Sequence, residues 1–155
     1  MVAAAVAAAA ADRGMMITVA DGGDLTPVAE AVCVGVQPGD CIYLYGPIGA
    51  GKTTLVQSCA RRLGVNEPVT SPTFALAHLY DGTPPVAHLD LYRLGETAAR
   101  DPADLLAYLT EDVIAFVEWP EYGTAWLPAA TCSVQIELAD DGVRQFVISP
   151  AAGRI

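Results

Sequence analysis

Gly46-Pro47-Ile48-Gly49-Ala50-Gly51-Lys52-Thr53-Thr54 is the stretch that decides how this sequence folds. It satisfies the pattern G-x-x-x-x-G-K-[ST], whose use as a phosphate cradle depends on standing between a strand and a helix. Both flanks agree. Cys41 to Tyr45 is an unbroken apolar run, the mark of a strand buried on both faces. From Lys52 onward, Leu55, Val56, Cys59, Ala60 and Leu63 recur at helical spacing, and Gly64 stands where a C-terminal cap belongs. Glycines let successive backbone N–H groups converge on a phosphate chain, and the helix N-terminus adds positive potential. Gly46, Gly49, Ala50, Gly51, Lys52, Thr53 and Thr54 are therefore the candidate nucleotide contacts. Lys52 would reach the outer phosphates, and the Thr53 hydroxyl would be a magnesium ligand. Pro47 has no N–H, so the donors are expected from Gly49 onward.

A magnesium–nucleotide site also needs an acid at the end of a neighbouring strand. Val113-Ile114-Ala115-Phe116-Val117-Glu118 is an apolar run ending in a carboxylate, and Glu118 is read as a second metal ligand. Asp90 closes Val86-Ala87-His88-Leu89-Asp90, where alternation puts Val86, His88 and Asp90 on one face. Asp90 is read as functional and His88 as part of a solvated strand face. Val69-Thr70-Ser71-Pro72-Thr73-Phe74, after the loop's helix, offers hydroxyls at the place where nucleotide switches contact the ion or the terminal phosphate. Trp119 and Trp126, flanking Pro120-Glu121-Tyr122-Gly123, could be partner anchors or a base platform, but core positions are the plainer reading.

The remaining segments alternate as in a layered α/β domain. Met16 to Ala20 reads as a strand. Thr26 and Pro27 read as the cap and first position of a helix with Val28, Ala31, Val32 and Gly35 on its apolar face. Thr73 to Tyr80 and Val86 to Leu91 flank a turn and suggest a hairpin, and Asp101-Pro102 opens a helix carrying Leu105, Leu106 and Leu109. Thr131 to Ala139 and Val143 to Ile148 flank Asp141-Gly142, a two-residue hairpin signal.

The chain's 155 residues suffice for one core without staples, and 53% apolar with 17% charged residues is a globular composition. Residues 1–14 are expected to be a flexible alanine-rich extension, too short to span a bilayer and without the basic flank of a signal peptide. Residues 15–155 are expected to be the folded domain. A net charge of −10 disfavours a tight grip on nucleic acid. Four scattered cysteines with no C-x-x-C pair argue against zinc and for reduced thiols in the cytoplasm.

Taken in order, GPIGAGKTTL, VTSPTFAL, HLDLYRL and VIAFVEWPEYG resemble the TsaE (formerly YjeE) family, small bacterial ATPases of tRNA N6-threonylcarbamoyladenosine (t6A) synthesis. The resemblance runs from about residue 24 to 150. It implies a single-domain P-loop NTPase with a mixed, mostly parallel sheet flanked by helices and a C-terminal β-hairpin. It further implies slow hydrolysis of ATP with Mg2+ while docked on the TsaB and TsaD proteins; independently of the resemblance, the acidic charge argues against tight tRNA binding by this chain alone and the short apolar run against a membrane. Carried over by position, Lys52 and Thr53 bind phosphate and magnesium, Glu118 the magnesium, Thr73 is the switch-like threonine and Asp90 the acid near the attacking water. Thr26 and Arg144 are further nucleotide contacts. The departures are Pro47-Ile48, where the family more often has Asp-Leu, and a loose match between Gly95 and Glu111. The rival reading is a small metabolite kinase. It would need an arginine-bearing lid, and the seven arginines here are scattered.

Overall fold

Cys41 to Tyr45 becomes a central strand because both of its faces find apolar cover. Ile42 and Leu44 lie in one core, and Cys41 and Tyr43 in another on the opposite side of the sheet. In the computed structural model, residues 14–72, 76–95 and 102–151 are described. They form β1 (Met15–Val19), α1 (Thr26–Cys33), β2 (Cys41–Tyr45), α2 (Lys52–Arg62), β3 (Ala77–Tyr80), β4 (Val86–Asp90), α3 (Pro102–Leu106), β5 (Ile114–Glu118), β6 (Cys132–Leu138) and β7 (Arg144–Pro150). Single 3-10 turns occupy Tyr92–Gly95 and Pro120–Gly123.

The strands make one sheet in the order β1-β7-β6-β2-β5-β4-β3. The four inner strands, β6, β2, β5 and β4, pair in parallel, and the outer pairs are antiparallel. Val28 and Val32 of α1 and Leu55, Val56 and Cys59 of α2 cover the face bearing Ile42, Ile114, Phe116 and Val134. On the other face, Ala87, Leu89, Ala115 and Val117 pack beneath Leu91 and Leu105. This is the expected single-domain α/β architecture, with the C-terminal hairpin β6–β7 in place. Among the described residues no helix is long and apolar enough to cross a membrane.

Helix α2 ends as its sequence indicates. Gly64, at φ +94°, donates to the Arg61 carbonyl while Val65 donates to that of Ala60, so the carbonyls of the last turn are satisfied. Other local expectations shift. Leu25, not Thr26, stands at the N-cap of α1, and its own side chain makes no capping hydrogen bond. The Asp24 carboxylate instead accepts from both the backbone N–H and the hydroxyl of Thr26. Helix α1 stops at Cys33, so Gly35 is exposed and Ala29 takes its place among the buried residues. Helix α3 stops at Leu106, leaving Leu109 in the following turn. The β6–β7 connection is a three-residue loop, Asp140-Asp141-Gly142, rather than a two-residue one. Ala139 N–H donates to the Val143 carbonyl across it, and Gly142 at φ +82° takes the left-handed position such loops require.

Candidate functional site

The parallel strands β2, β5 and β4 end side by side. Leu44 pairs with Glu118 and Glu118 pairs with Asp90, so both carboxylates stand at the carboxyl edge of the sheet next to the loop that leaves β2. That edge is where open α/β sheets bind ligands. A pocket of about 390 Å³ opens there, lined by Gly49, Gly51, Lys52, Thr53 and Thr54 from the loop, Asp90 and Glu118 from the sheet, and Tyr92 and Trp119 at its side.

The loop folds on itself before entering α2. Ala50 donates its N–H to the Pro47 carbonyl at 3.1 Å, and its methyl is fully buried. Ala50 therefore directs its amide inward, unlike the outward donor expected of it. Gly51 precedes the helix at φ +100°, a conformation costly for any residue with a Cβ. Lys52 is 5% exposed, and its Nζ donates to the carbonyls of Gly46 at 2.6 Å and Pro47 at 2.9 Å. The same ammonium lies 4.2 Å from the ring centre of Trp119, a cation–π distance. Burial lowers the Lys52 pKa, opposed by the carboxylates of Glu118, Asp90 and Glu121.

Thr53 Oγ1 donates to Glu118 Oε1 at 2.8 Å, so the two residues read as metal ligands lie side by side. They are hard oxygens, one hydroxyl and one carboxylate, and such a partial set suits Mg2+, which commonly fills its other positions with phosphate and water. An eleven-residue helix beginning at the loop supplies the N-terminal potential that phosphates favour. The donor set thus fits a magnesium nucleotide. Asp90 holds the Tyr92 N–H through Oδ1 at 3.1 Å. Burial raises its pKa, with that hydrogen bond acting in the opposite direction.

Arg144 is brought to the loop from β7: its Nη1 lies 2.5 Å from where a Cβ on Gly51 would stand. Thr26 is not on this pocket. It lines a separate hollow of about 240 Å³ with Ala29, Ser58, Arg61 and Arg62, beside the later turns of α2. Thr73 lies outside the described residues.

Two features escape the sequence reading. His88 is not on a solvated face; it is fully buried, with Nε2 2.8 Å from Glu118 Oε1. Its face of the sheet is covered, with Val86 and Phe116 in the core that includes α2, which alternation alone does not reveal. Trp119 turns into the left-handed region at φ +55° directly after Glu118 and packs on Tyr92 at 4.9 Å between ring centres. An aromatic wall beside the lysine results, and its one sequence signal is the aromatic residue following the strand-ending acid.

Residues 19–146 match the protein-family model described as "Threonylcarbamoyl adenosine biosynthesis protein TsaE". Over 122 residues the chain is 38% identical to the tRNA threonylcarbamoyladenosine biosynthesis protein TsaE of Nostoc sp., covering 72% of this chain and 71% of that one. It is 31% identical over 128 residues to the protein of the same name from Bacillus subtilis, covering 82% and 80% of the two chains. Its structure is similar to the crystal structure of YdiB from Bacillus subtilis, with a TM-score of 0.73 at 25% identity, over 92% of this chain and 88% of the other.

Proposed function

The chain belongs to the TsaE family, and on that premise we propose that it is an ATP-binding, slowly ATP-hydrolysing component of tRNA t6A formation. The supporting observation is the meeting of Lys52, Thr53 and Glu118 on one pocket at the carboxyl edge of the sheet. Thr53 and Glu118 would hold Mg2+, which supplies charge neutralisation at the phosphate oxygens when bound. Lys52 carries the positive charge of the phosphate site, Gly51 keeps the loop open for close approach, and Arg144 adds a second cation from β7.

Asp90 is the group that would take a proton from the attacking water, at the carboxylate oxygen not engaged by Tyr92. Burial raises its pKa above that of an ordinary aspartate, which makes it a stronger base. Thr73 is assigned to a switch role on the resemblance alone.

With a net charge of −10, the chain acts through protein partners, TsaB and TsaD, in the cytoplasm rather than by gripping the tRNA. Phosphate release and ATP affinity of the purified chain, in Mg2+ and in EDTA, with and without TsaB and TsaD, test this reading. Mg2+-dependent ATP binding with slow release is expected, together with co-elution with the partners. Phosphoryl transfer to a small acceptor would favour a kinase, and absence of ATP binding would overturn the proposal.

A further inference from the structure

The imidazole of His88 lies wholly inside the protein, 0% exposed, and among the described residues only one of its nitrogens has a partner. Nε2 is 2.8 Å from Glu118 Oε1, and Nδ1 meets no hydrogen-bond partner among the described residues. The contact runs diagonally across β4 and β5: His88 pairs in register with Phe116, and its ring reaches two residues further to Glu118. A buried N–H without an acceptor costs more than a buried nitrogen lone pair left alone, so the proton belongs on Nε2. Glu118 Oε1 then accepts from both His88 and Thr53. Two donors fixed on one oxygen set the rotation of the carboxylate, and Oε2, which bonds nothing among the described residues, is left for the pocket.

We infer that His88 is a positioning residue for Glu118. It donates from Nε2 to hold the carboxylate in the orientation that a magnesium ion on the nucleotide requires. This rests on the function proposed above and assigns a role there to a residue outside the phosphate loop. Groups that orient metal ligands from behind are worth roughly 10- to 100-fold in metal affinity.

Two measurements decide it. Long-range proton–nitrogen spectra of the ligand-free protein report which ring nitrogen carries the proton, the two histidines being told apart with a His78→Gln variant. A protonated Nε2 and a bare Nδ1 are expected; a bare Nε2 overturns the inference. Calorimetric ATP binding is then titrated with Mg2+ for the parent, His88→Leu and His88→Gln, with folding followed by circular dichroism. In His88→Leu the Mg2+ requirement should rise by roughly 10- to 100-fold while ATP affinity in EDTA holds within about twofold. His88→Gln, which can present an amide N–H near the same place, should recover most of the loss. An unchanged Mg2+ requirement in His88→Leu overturns the inference, as does an equal loss of affinity in Mg2+ and EDTA, which marks a merely structural histidine. A parent that binds no ATP in either buffer removes the functional reading and this inference together, an outcome distinct from the other two.

Discussion

The Lys52 ammonium reaches back to the Gly46 carbonyl at 2.6 Å, closing the glycine loop on itself. The residue that carries the site's charge is therefore also a clasp of the site's shape. Lys52→Ala should abolish measurable ATP affinity by calorimetry. Lys52→Arg should not restore it, because a planar guanidinium cannot replace a compact ammonium between two carbonyls and an indole face.

Glu118→Ala should make ATP binding equal in Mg2+ and EDTA. It also leaves the buried His88 without its acceptor, and a loss of about 1–3 kcal/mol in urea unfolding is expected. A variant that keeps full metal dependence would show that Glu118 is not a ligand.

Gly51→Ala puts a Cβ on a residue at φ +100° and presses on Arg144. The guanidinium can swing aside, so backbone strain dominates, at roughly 1–2 kcal/mol. Denaturant melts should show that loss, and ATP affinity should fall with it.

Phe116 is fully buried in β5, in the core on the α2 side of the sheet. Phe116→Ala should destabilise by about 3–5 kcal/mol through lost burial and the cavity left behind, read as a lower unfolding midpoint.

Asp24 has its pKa lowered by the hydrogen bonds from the Thr26 hydroxyl and N–H. A lowered folded value means that its contribution is complete above the unfolded value of 3.8 and fades as pH falls through the folded one. Asp24→Ala should therefore be less stable than the parent near neutrality, with the difference closing in acid. Thermal melts across pH measure it.

Local chemistry made much of this molecule readable in advance. The run Cys41 to Tyr45, the glycine loop and the spacing from Leu55 to Leu63 each encode their own conformation, and Glu118 announces itself as an acid ending an apolar strand. Depth and neighbours are encoded elsewhere. Whether His88 meets water depends on the helical layer over its face of the sheet, where Val86 and Phe116 share a core with α2, and alternation within β4 carries no record of that. The place of Thr26 depends on how α1 lies along α2, which sets it beside Ser58 and Arg61 rather than the glycine loop. The aromatic wall depends on a single left-handed residue at Trp119.

Asp90, Glu118 and Leu44 occupy one rung across β4, β5 and β2. Neighbouring strands stand about 4.8 Å apart, and side chains alternate strictly, so sliding β5 by one residue would throw Glu118 through to the far face with no intermediate position. The gap between the two acids is thus quantised by the ladder instead of being adjustable by loop motion. On heating, capacity for metal should vanish in the same step as the sheet itself, with no tepid interval in which a folded protein binds ATP but ignores magnesium.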